Sequence, residues 1–327
     1  MYKPKVIKKV ILLLPFIWFL SPCYGQANWP NKPVKIIVPW ATGGVTDTLA
    51  RFIANKLTIS FKSPFIVENH PGAGGIIGSD LVAKAAPDGY TLVASGMASH
   101  VITPNLANTP FDPMKSFTHI VNLGGPPLVM VVHPSLKVKD VKELVALANK
   151  QNGGMSYASP GSGTHNHLIG ELFKLKSNAN FVHISYKGGG PALLDLISGH
   201  VQVGFLTLTT AATNIKAGKL RALAISSQQR LSDYPQVPTF NELGYPSLTT
   251  YNWSGLSGPA GMNPNMVNRI NEEVIKALRE KDAREQLGSE GIAEVTEMSP
   301  EAFTVFFQKE ITQWAPVAKS INTKLGN

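Results

Sequence analysis

The sequence predicts an α/β chain of two lobes, each a mixed sheet flanked by helices, with a cleft between them. Three observations carry that expectation. Short apolar runs rich in Val and Ile alternate with helical spacing from residue 34 onward, the pattern of parallel α/β units. One device occurs twice: VKIIVPWATGGVTDTLARFIANKL and GMSYASPGSGTHNHLIGELFKL are each a strand, a small-residue loop with two glycines and an amphipathic helix. The two copies lie about 120 residues apart, too far for a solenoid repeat, so each reads as one corner of its own lobe. Finally, 327 residues at 43% hydrophobic and 16% charged suffice for two well-cored domains.

Residues 1–27 stand apart. Lys3, Lys5, Lys8 and Lys9 form a basic start, and Val10 to Leu20 an apolar stretch of secretory rather than membrane-spanning length. A cleaved leader is expected, and lipid attachment at Cys23 is not, because Pro22 replaces the small residue such a site needs. Cys23 is the only cysteine, so the remaining chain offers neither thiol chemistry nor cysteine-ligated metal. Four of the 30 basic residues and none of the 21 acids lie in the leader, which leaves a net charge of +5. That charge is scattered and without basic runs, which argues against nucleic acid and for a mild field that draws small anions.

The chain then reads as follows. VKIIV (34–38) is a strand, and Leu49, Phe52, Ile53 and Leu57 share one face of the helix after it, with Thr46 or Asp47 as its cap. FIVE (65–68), a helix over 79–85 and TLVA (91–94) complete the first unit. A polar, proline-marked stretch, 103–117, precedes PLVMVVH (127–133), which is extended, and an amphipathic helix over 139–150. MSYAS (155–159) opens the second unit. FVHISY (181–186), a helix ending near Gly199, VQVGFL (201–206) and LRALAIS (220–226) follow. TTYNWSGL (249–256) is extended again. Asn263-Pro264 and Ser299-Pro300 start the closing helices, the second with Phe303, Phe306, Phe307, Ile311 and Trp314 on a core-facing stripe. These elements group as lobe one (28–126 plus 250–327) and lobe two (127–249).

A strand that ends in a glycine turn and feeds a helix leaves backbone N–H groups free at the positive end of the helix dipole, a place for an anion. The first corner offers Thr42, Gly43, Gly44, Val45 and Thr46. The second offers Ser159, Ser162, Gly163, Thr164 and His165. Other chemistries fit less well. Gly72 to Gly78 is one residue longer than a dinucleotide fingerprint and lacks its acidic partner, which leaves close backbone packing as its role. Ser162 lacks the glycines two residues to either side that a nucleophile elbow needs. His165 and His167 do not share a helical face, and no further ligands complete a metal site.

The motifs resemble those of the extracytoplasmic solute receptors of tripartite tricarboxylate transporters, the Bug-type receptors. They are Trp29-Pro30, Pro33 to Pro39 and Gly43-Gly44-x-x-Asp47-x-x-Ala50-Arg51 at the start, then Val67-Glu68-Asn69-x-Pro71-Gly72-Ala73-Gly74-Gly75 and Pro87-Asp88-Gly89-Tyr90. Tyr157-x-Ser159-x-Gly161-x-Gly163-Thr164-x-x-His167, Tyr186-Lys187-Gly188-Gly189-x-Pro191 and Pro238-Thr239-x-x-Glu242-x-Gly244 complete the set. The resemblance covers essentially the whole chain after the leader. It implies a type II-like periplasmic fold and a monomeric, non-catalytic, cofactor-free receptor that closes on a small organic carboxylate and passes it to a membrane permease. It places the carboxylate on Thr42 to Asp47 and Ser159 to Thr164, with Met97, His100, Tyr186 and Thr207 as further cleft residues. Trp40 stands where Phe is commoner and narrows the expected pocket. A sensing partner of a membrane kinase would share this binding chemistry, whereas a serine hydrolase would depend on Ser162.

Overall fold

The computed structural model describes residues 29–289, 292 and 297–325; the expected leader, with Cys23, lies outside them. The chain runs β1 (Val34–Val38), α1 (Val45–Phe61), β2 (Phe65–Asn69), α2 (Ile76–Ala83) and β3 (Thr91–Gly96), then a π-helical turn (Met97–Ile102), α3 (Thr103–Leu106) and β4 (Phe117–Gly124). It continues through β5 (Leu128–Val132), α4 (Val141–Lys150), β6 (Met155–Ser159), α5 (His165–Ser177), β7 (Phe181–Ser185), α6 (Gly189–Ile197), β8 (Val203–Thr207), α7 (Leu208–Lys216) and β9 (Arg221–Ile225). β10 (Ser254–Pro259), α8 (Pro264–Arg279), α9 (Lys281–Ser289) and α10 (Pro300–Leu325) close it.

Two five-stranded sheets result, ordered β2-β1-β3-β10-β4 and β7-β6-β8-β5-β9. They correspond strand for strand. β1 and β6 each lie between two parallel partners, and β10 and β5 each run antiparallel to both neighbours. This is the two-lobed α/β fold that the sequence predicted. β1 leads through α1 to β2 on one side while β3 lies on the other, and β6 does the same with β7 and β8. Connections therefore part at the C-terminal ends of β1/β3 and β6/β8, which opens a crevice at each. Both corners singled out in the sequence stand there.

Helices form where the sequence supplies a buried stripe and a cap. Leu49, Phe52, Ile53 and Leu57 of α1 are all buried. Asp140 caps α4 by accepting from the Glu143 N–H, while the Glu143 carboxylate accepts from the Lys139 N–H, two free donors satisfied reciprocally. Asn263 and Ser299 cap α8 and α10 with proline at the next position. Gly199 takes a left-handed φ of 74° just past α6. Two expectations need correction. β4 lies where the sequence reading has no strand: Ile120 to Leu123 are buried against β10 and the helices, but Thr118, His119 and Asn122 break the apolar run. α1 starts at Val45 with Gly44 as its cap, so neither Thr46 nor Asp47 caps it.

The chain crosses between sheets twice, at 124–128 and 250–254. The crossings lie against each other: Asn252 N–H donates to Pro126 O (3.0 Å), and Pro127 pairs antiparallel with Tyr251. A Cβ at Gly125 would stand 2.2 Å from Asn252 O, so only glycine permits this approach. α10 buries Phe303, Phe307 and Trp314 completely, and packs against β4, the π-helical turn and α3 on one side and α5 of the other sheet. The glycines of 72–78 do serve close packing: a Cβ at Gly78 would meet His70 O and Pro39 Cα, both at 2.9 Å.

Candidate functional site

The first corner is braced from behind. Asp47 is 2% exposed, and its carboxylate accepts from the Gly43 N–H (2.9 Å), Arg51 Nε (3.0 Å) and Asn69 Nδ2 (2.8 Å). Asn69, at the end of β2, also donates to Trp40 O (3.0 Å) and accepts from Arg51 (2.8 Å). Burial alone would raise the Asp47 pKa, but the bonds from Arg51, Gly43 and Asn69 outweigh it and hold the carboxyl below its ordinary value. Asp47 is therefore a brace and its charge is spent inside the cage. Thr46 reaches sideways to Ser254 Oγ (3.0 Å). The N–H groups of Gly44, Val45 and Thr46 have no hydrogen-bond partner among the described residues. A Cβ at Gly43 or Gly44 meets nothing within 4 Å, so open space lies in front of them.

The second corner repeats the design with different side chains. Thr164 caps α5, accepting from the His167 N–H (3.3 Å) and donating to Gly161 O (2.7 Å). Gly163, at φ +74°, donates its N–H to His167 Nδ1 (3.0 Å). Ser159 is buried and its Oγ lies 2.6 Å from His183 Nε2. Ser162 N–H is held by Ser185 Oγ (2.8 Å). The His165 and Asn166 N–H groups have no partner among the described residues.

The other expected site residues divide. Trp40 is half-buried over Gly75, beside Ser99. Thr207, at the start of α7, bonds to Thr210 and Thr209 (2.8 and 3.1 Å). Tyr186 donates to Asp195 (2.7 Å), and burial with that bond pushes its hydroxyl up to about 12. Met97 and His100 are fully buried. His100 is wedged among Phe111, Phe117 and Phe307 and belongs to the core, since the π-helical turn rotates both side chains inward. The His165 ring also points inward, to Thr250 Oγ1 (3.1 Å) and the edge of Trp314, so only its N–H remains for the corner. Leu106 of α3 approaches Gly163: a Cβ on that glycine would lie 2.9 Å from Leu106 Cδ1. Leu106, Arg51, Asn69 and His183 were not among the predicted contacts. Only the i, i+4 spacing of Asp47 and Arg51 signals such a brace in sequence.

Known proteins agree with this architecture. The model for the tripartite tricarboxylate transporter family receptor (TctC) matches residues 49–323. Protein BugT of Bordetella pertussis is 35% identical over 300 residues, covering 91% of this chain and 92% of its own. Among solved structures, MatC of Rhodopseudomonas palustris with bound malate is 29% identical with a TM-score of 0.74, covering 89% of this chain and all of its own. R. palustris Rpa4515 with adipate is 31% identical with a TM-score of 0.77, covering 90% and 98%. The chain belongs to the family of tripartite tricarboxylate transporter receptors, and to its Bug type.

Proposed function

We propose that the chain is an exported, non-catalytic receptor that captures a small organic carboxylate between the α1 and α5 corners and hands it to the membrane permease of a tripartite transporter. One observation carries the reading: two corresponding glycine loops, one at the end of a strand in each sheet, leave helix-start N–H groups without a partner among the described residues. A carboxylate there accepts charge-assisted bonds worth about 1.5–3 kcal/mol each, which offset its desolvation. The malate and adipate in the two relatives support a small dicarboxylate as the ligand class. Residues 28–126 with 250–327 form one lobe and 127–249 the other, and the paired crossings beside Gly125 are the hinge on which they close.

A thermal-shift screen of malate, adipate, succinate, citrate, glutamate and benzoate tests this. A ligand at a hundred times its Kd adds about 2.7 kcal/mol, so a match should raise Tm by about 5 °C or more. No shift with any of the six would count against the reading.

A further inference from the structure

The two corners correspond down to one hydrogen bond. In each, a glycine at positive φ donates its N–H to a side chain four residues on, in the first turn of the helix: Gly43 to Asp47 Oδ2 and Gly163 to His167 Nδ1. The acceptors differ in kind. Asp47 is a carboxylate caged by Arg51 and Asn69. His167 is 3% exposed, and its ring stacks on His183 at 3.8 Å and 16°. His183 in turn meets Ser159 Oγ.

We infer that His167, backed by His183, is the positioning residue of the second corner: its unprotonated Nδ1 holds the Gly163 N–H and thereby aims the free N–H groups of α5 at the bound carboxylate. An imidazole can accept at Nδ1 only while that nitrogen carries no proton, so Nε2 carries it instead. Protonation removes the acceptor and places a cation face to face with a second imidazole. The groups around the pair are Tyr157 on β6, whose hydroxyl reaches His167 O (3.4 Å) and Glu171 (3.0 Å), and Glu171 and Lys174 further along α5. Burial first, then the neighbouring His167, lowers the pKa of His183 to about 4, so it stays neutral at working pH. The first corner, braced by an ionised carboxylate, has no such dependence above the carboxylate range. Protonation of His167 would thus release the Gly163 N–H, whereas the first corner keeps its acceptor as long as Asp47 is ionised.

The inference rests on the carboxylate reading for its consequence but not for its test. In the ligand-free full chain labelled with 15N-Gly and 15N-His, His167 should show an unprotonated Nδ1 at pH 7.5, and the Gly163 amide should shift in step with the His167 titration. A protonated Nδ1, or an amide that ignores that titration, overturns the inference. Binding of malate or adipate gives the second arm. His167→Phe should weaken it at least tenfold at pH 7.5. His167→Asn, which keeps an acceptor at the δ position, should restore most of it. Equal losses in the two variants also overturn the inference, because they reduce His167 to packing. A wild-type chain that binds neither acid counts against the carboxylate reading alone, and the amide titration still decides the role of His167.

Discussion

Asp47 shows what a single side chain does here. Its carboxylate joins α1, the loop before it and the end of β2 through three donors. Asp47→Asn keeps an oxygen but loses the charge, and its amide hydrogens face donors. It should cost about 1–3 kcal/mol of stability and weaken carboxylate binding by loosening Gly43. Chemical denaturation and calorimetry on the variant check both, and unchanged stability would contradict the cage. From the sequence, Asp47 could be recognised as belonging to the corner, but not that it faces backward. That direction depends on Asn69, 22 residues away, and on where α1 begins. Likewise Met97 and His100 follow a strand end at the crevice, and only the π-helical turn, which leaves no periodic signal, decides that they face the core.

At the scale of elements, both corners were legible because each is local: strand, glycines and helix stripe lie within about 20 residues, where spacing alone specifies geometry. β4 was not, since a strand buried by a distant β10 need not read as apolar when Thr118 bonds Pro259 O and His119 bonds Ser257. The reach of α10 was half legible. Its aromatic stripe predicted burial, but not that Trp314 would touch His165 on α5 beside the second sheet. The crossings supply a prediction of their own. Gly125→Ala sets a methyl against backbone atoms of Asn252 and Trp253 at 2.2–2.7 Å, which cannot give way as a side chain would. It should destabilise the protein by about 1–3 kcal/mol, seen as a lowered Tm, and a neutral Tm would show that the crossings part easily.

At the scale of the molecule, burial holds four imidazoles neutral among the described residues, His183 from a half-buried position. Burial lowers the pKa of His100 and His165 to about 3, and of His119 and His183 to about 4, with the neighbouring imidazole adding to the effect at His100 and at His183. The unfolded chain protonates these groups near pH 6.5, so below that pH it binds more protons than the folded one. Stability should hold above about pH 6.5 and fall progressively toward pH 4; the Asp47 cage adds its own loss only at lower pH. Tm of the ligand-free protein between pH 7.5 and 4.5 checks this, with His119→Gln expected to flatten the slope and a flat wild-type profile contradicting it.

The central claim is that the free N–H groups of the two corners grip a carboxylate. Gly44 isolates it, because its φ of −82° suits any residue and a Cβ there touches nothing. Gly44→Val therefore leaves the fold standing while filling the space before the α1 N–H groups. The most direct measurement is titration calorimetry of malate and adipate into the wild type and Gly44→Val. Saturable one-to-one binding by the wild type, reduced at least tenfold in a variant that still unfolds cooperatively, is the expected result. Equal affinity in the two proteins would contradict the account.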